Sequence, residues 1–191
     1  RHFAFPRGRR WAFALLLLAA VAAAAGGRMP KIIVLEDPLS ADEHVALGVA
    51  YEKKGSLDLA AREYGRALKK DPSSYLARFN LGNVRLAEKR YDAARGEYLE
   101  ALEIRPGDPE AVNNLSWAAI LSGDGLADAL RRMEAVLSDE SRRSPPLLDT
   151  LGVLLGALSR PADAENAFAE ALARCDAGGA ECADPVRAEI L

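Results

Sequence analysis

Small and large residues recur along this chain at a fixed distance, and that recurrence constrains the fold more than any other feature. Leu47-Gly48 is followed by Tyr51, Ala60, Tyr64, Ala67 and Pro72. Thirty-four residues on, Leu81-Gly82 is followed by Ala94, Tyr98, Ala101 and Pro106. Leu115-Ser116 comes next, and Leu151-Gly152 then precedes Ala164, Phe168 and Ala171. A repeat of this period reads as two amphipathic helices joined by a tight turn, and such units bury their apolar faces by stacking on one another.

Units begin at Ala41, Tyr75, Pro109 and Pro145 and cover 41–74, 75–108, 109–144 and 145–174. In the first, the spacing predicts helices over 41–54 and 57–70, with Gly55-Ser56 breaking the pattern between them. Gly48, Gly82, Ser116 and Gly152 are expected where the paired helices cross closely, answered by Ala60, Ala94 and Ala164. Tyr64, Tyr98 and Phe168 are expected to pack onto the following unit, and Pro72 and Pro106 to end the second helices. The third unit is out of phase, and one extra residue near Asp124-Gly125 restores it. Ala129, Met133 and Val136 then take the small, large and small positions. A polar loop at Ser138–Ser144 follows, and Pro145-Pro146 suit the first turn of the next helix.

This period and these residue types resemble the tetratricopeptide repeat (TPR). The resemblance implies an all-α, right-handed helical solenoid of four helix-turn-helix units that binds a protein or peptide partner and is not an enzyme. The chain is similar to small bacterial envelope proteins of this family and to the repeat modules of pilus and outer-membrane assembly factors. That implies an adaptor or scaffold in assembly of a cell-envelope complex. The alternatives are an accessory subunit presenting substrate to an envelope enzyme or exporter, and a self-assembling scaffold. Residues 175–191 read as a short cap or tail, since a terminal repeat otherwise exposes an apolar edge.

The N-terminus speaks of location. Arg1, Arg7, Arg9 and Arg10 precede an apolar run from Trp11 to Ala25, then Gly26-Gly27. A basic region, a short apolar region and small residues form a secretory signal. Residues 1–27 therefore read as a hydrophobic signal helix, either cleaved or kept as an anchor, with the repeats exported to the periplasm or the outer face of the membrane. Contact with the membrane is expected only through an uncleaved segment. Residues 28–40 form an extended linker or arm, in which Ile32-Ile33-Val34-Leu35 suits a strand or a segment laid into a groove. From Lys31 onward there are 20 basic and 28 acidic residues, a net charge of −8, which disfavours nucleic acid as a partner.

Chemistry-bearing residues are sparse. Cys175 and Cys182 are the only cysteines, and an oxidising compartment makes a disulfide between them plausible, with two free thiols in a tail the other reading. His44 is the one histidine outside the N-terminal segment and reads as a half-buried packing residue. No nucleophile-base pair, metal-ligand cluster or phosphate loop is legible, so no cofactor or metal is expected.

In TPR solenoids the first helices line a concave surface. Spacings of three and four put Val45, Val49, Phe79, Asn80, Asn83, Asn113, Asn114, Trp117, Ile120 and Thr150 on one helical face. Leu76, Leu86, Asp149 and Val153 share it. Amides beside apolar residues suit an extended peptide, with Phe79 and Trp117 as side-chain anchors. The other reading makes those aromatics core. Asn80 and Asn114 repeat at one position and resemble the asparagine ladder of the TPR superhelix in O-linked GlcNAc transferase, with Thr150 ending it. Chaperone-binding members hold a C-terminal carboxylate with Lys, Asn and Arg. Here only Asn80 matches, with His44, Val49, Glu110 and Asn114 at the other positions, so a carboxylate ligand is disfavoured.

Overall fold

The computed structural model describes residues 37–178, with side chains to Cys175. The chain divides into the units Arg1–Pro38 and Leu39–Leu191, and the first lies almost wholly outside the described residues. The expected signal helix and most of the arm fall there, as does Cys182. No described helix is long and apolar enough to cross a membrane.

The described residues form eight α-helices and no strand. They pair in chain order: α1 (Ala41–Lys53) with α2 (Leu57–Lys70), α3 (Tyr75–Ala87) with α4 (Tyr91–Ile104), α5 (Pro109–Ser122) with α6 (Leu126–Leu137), and α7 (Pro145–Ala157) with α8 (Pro161–Gly178). Local chemistry sets the starts. Ser40 and Glu43 form a reciprocal capping box on α1, Ser74 caps α3, and Asp108 caps α5 ahead of Pro109. Each turn within a pair holds a residue in the left-handed region just after its first helix: Gly55, Lys89, Gly123 and Ser159, with φ of 71°, 59°, 76° and 58°, and the third turn adds Gly125 at 75°. Glycine adopts that conformation freely, while the lysine and the serine hold it at a cost.

The close approach inside three of the pairs is a glycine beneath an aromatic ring. A Cβ on Gly82 would stand 2.6 Å from the Tyr98 ring, and Gly48 under Tyr64 and Gly152 under Phe168 are closed off in the same way. The rings therefore seat first on their own unit's glycine, where the sequence pattern suggested the neighbouring unit. Their outer edges still reach forward: Tyr64 shares a buried cluster with Ala77, Leu81 and Val84 of the next pair. The third pair has no aromatic at this place. Met133 is fully buried there, and Ser116 replaces glycine, its hydroxyl donating to the Val112 carbonyl at 2.8 Å.

The extra residue of the third unit lies in the turn Gly123–Gly125. Arg95 of α4 pairs with Asp124 at 2.7 Å and lies over Gly125. The polar loop after α6 winds into a 3₁₀ turn, Glu140–Arg142. Arg143 bonds both Glu170 of α8 and the Leu137 carbonyl, Arg174 bonds Glu170 and Glu140, and Arg142 reaches the Gly107 carbonyl. The loop thus fastens the last pair to the third. Helix α8 also runs past Arg174 to Gly178, so Cys175 lies in a helix and not in a loop.

Successive first helices touch: α1 with α3, α3 with α5, α5 with α7. No two second helices make a comparable contact among the described residues. A row of helices closer together on one side must curve toward that side. The first helices are therefore the inner row, and their outward-facing residues line the concave surface.

Candidate partner-binding groove

The groove floor is built where the aromatic of one pair meets the first helix of the next. The Tyr98 hydroxyl donates to Asn83 Oδ1 at 2.7 Å, and Asn114 Nδ2 donates to the same oxygen at 3.0 Å. The Tyr64 hydroxyl donates to Glu52 and also meets Asn80. Burial, first of all, pushes both phenols above their ordinary range. They stay protonated and act as fixed donors. Asn80 and Asn114 therefore repeat because each meets a tyrosine hydroxyl of the preceding pair. The third pair has Met133 in that place, and Thr150, at the next rung, is buried and turns its hydroxyl onto its own Pro146 carbonyl at 3.0 Å.

The expected groove residues divide. Asn80, Asn83, Asn113, Asn114, Trp117 and Ile120 are half-buried along the inner row, and Val49 packs partly against the first cluster. The Asn113 Oδ1 atom is buried and accepts no hydrogen bond. Leu76 is half exposed at 49%. Val45, Phe79 and Thr150 are not available to a ligand, at 7%, 7% and 3% exposure. Phe79 stacks on Tyr75, with centroids 5.7 Å apart, and tilts against Tyr98 at 6.0 Å. The reason is the curvature: where first helices approach one another, the residue facing the neighbour is covered by it. Phe79 is a core aromatic, and Trp117 is the ring left on the surface.

His44 is fully buried, not half-buried. Its Nδ1 lies 2.7 Å from Glu63 Oε2, and Arg66 holds the other carboxylate oxygen at 2.8 Å. This network joins α1 to α2 and faces the core. Cys175 is not a free thiol, while Cys182 lies outside the described residues. Among the described residues, no group of three or more His, Cys, Asp and Glu is placed to hold a metal ion.

Stacked helix pairs, ring-on-glycine seats and an amide-lined inner row define a helical-repeat solenoid. A tetratricopeptide repeat family model matches residues 37–109, the first two helix pairs. No curated protein matches it in sequence. Among solved structures the fold is similar to MamA 41-end from Desulfovibrio magneticus RS-1, which is 18% identical with a TM-score of 0.66. That match covers 73% of this chain and 78% of that one. It is also similar to PilW, a widely conserved type IV pilus biogenesis factor, at 21% identity and TM-score 0.62, over 70% of this chain and 61% of PilW. Pseudomonas aeruginosa pilF is 28% identical with a TM-score of 0.58, over 71% of this chain and 62% of pilF.

Proposed function

We propose that this chain is an adaptor that holds an extended segment of a partner protein in its concave groove, and that it helps assemble a complex in the bacterial cell envelope after export. The observation that carries the reading is the Tyr98–Asn83–Asn114 cluster on the inner row. It presents ordered amides beside the half-exposed rings and aliphatics Trp117, Ile120 and Leu76, the combination that receives a peptide backbone and its side chains. The basic, then apolar, then small-residue N-terminus supports export. Likeness to a pilus biogenesis factor and to pilF supports an envelope setting.

A second reading, self-association, draws on Leu172, which is 51% exposed on the last helix. An exposed aliphatic on the last described helix suits stacking on a second copy.

The test is photocrosslinking in the native cells from a crosslinker placed at Trp117, with identification of the captured chain and of the mature N-terminus by mass spectrometry. Capture of an envelope protein, with an N-terminus near Gly26, supports the exported adaptor. Self-crosslinks alone would replace it with the scaffold.

A further inference from the structure

The charges of the inner row that are left without an ion-pair partner say what the groove will accept. Helices α5 and α7 contain no Lys or Arg. Helix α3 contains Arg78 and Arg85, and both are engaged: Arg78 by Glu97 of α4 at 3.0 Å, Arg85 by Glu88 at 2.9 Å. The remaining base of the row, Lys53, stands at the last turn of α1. Against these stand Glu52 on α1 and Glu110 on the first turn of α5, neither of which has an ion-pair partner among the described residues. Glu52 accepts from the Tyr64 hydroxyl, and Glu110 is exposed. Glu52 meets the Tyr64 hydroxyl, which also meets Asn80, and Glu110 lies one turn before Asn114 on α5, so each carboxylate stands next to one rung of the amide row. Between them lie the amides of Asn80, Asn83 and Asn114, which carry no charge to neutralise them.

We propose that the groove takes a cationic, aliphatic stretch of extended polypeptide, whose Lys or Arg side chains are received by Glu52 and Glu110. This rests on the groove reading above and specifies its occupant. The amides bond the peptide backbone. Leu76, Trp117 and Ile120 cover its aliphatic side chains, and the two carboxylates set the register and repel acidic segments or a free C-terminus.

A phage-displayed library of short random peptides, panned on the full chain, tests this. Selected clones are counter-screened on two variants, Asn83→Ala with Trp117→Ala, and Glu52→Gln with Glu110→Gln; melting curves establish that each variant is folded. Clones lost on the first variant are expected to be rich in Lys or Arg among aliphatics. They should weaken about tenfold on the second, and their binding to the parent should weaken as salt rises. Groove-dependent clones with no basic enrichment that bind the Gln variant as tightly would overturn the charge assignment and leave the groove standing. A selection yielding no groove-dependent clone would overturn the groove reading and this inference with it. Should the paired Gln variant unfold, the exposed Glu110→Gln alone reads the same contrast.

Discussion

A methyl group added to different glycines of this protein should have opposite effects, because only some of them lie beneath a ring. Gly82→Ala must push the Tyr98 ring away and is expected to destabilise by about 1–3 kcal/mol. Gly96→Ala, on the exposed face of α4 with nothing within 4 Å, is expected to stabilise by about 0.5–1 kcal/mol. Denaturant midpoints of the two variants, read against the parent, check the pair; equal signs would refute the ring-on-glycine account. Lys89 supplies a second contrast. It holds the left-handed turn position that Gly55 and Gly123 hold freely. Lys89→Gly should raise stability by about 0.5–1 kcal/mol, the relief of backbone strain less the added freedom of the unfolded chain. The need for small residues at 48, 82 and 152 was legible from their period. That their occluding partner is Tyr64, Tyr98 or Phe168 of the same pair was not, because a spacing of sixteen residues specifies a helix face but not which ring turns back onto it.

At the scale of an element, the last helix is held by charge as well as by packing. Hydrogen bonds from Arg143, and then from Arg174, draw the Glu170 carboxyl down to about 2. A carboxylate whose folded pKa is depressed contributes stability that is fully present above its unfolded pKa of about 4.3. That contribution falls away as pH drops through the folded value near 2. Amide exchange along α8 should therefore quicken as pH is lowered across this window, after correction for intrinsic rates, and Glu170→Gln should remove the dependence. Unchanged protection in the parent would show that packing alone holds the helix. The polar, arginine-bearing loop at Ser138–Ser144 was visible in the sequence. Its role as a strap was not, since Arg143 and Glu170 are far apart in the chain and only the stacking of the pairs brings them together.

At the scale of the molecule, two proposals concern the C-terminal segment and the groove. Cys175, near the end of α8, is proposed to bridge to Cys182 and secure the C-terminal segment. Intact mass of carefully quenched protein from its native cells should be two hydrogens below the reduced form, and free thiols would sink the bridge. The groove belongs to this scale as well. It needs the pairs stacked with their first helices inward, and Glu52 and Glu110 come to it from different pairs, α1 and α5. Exchanging Glu52 and Glu110 for Gln should leave the melting temperature near that of the parent while altering which peptides bind.

What the chain's own pattern determined was the repeat, its helical character and the small-large alternation. These follow from local propensity and from which residues share a helix face, and both are properties of neighbours in sequence. It also set the candidate amides Asn80, Asn83 and Asn114. Only the tertiary structure decided that Phe79, Val45 and Thr150 belong to the core while Trp117 remains half-exposed. Helical spacing puts all of these on one face, but burial on that face depends on how closely the next helix approaches. That approach is set by the glycine seats and the curvature of the whole stack, which are long-range quantities that a periodicity does not contain.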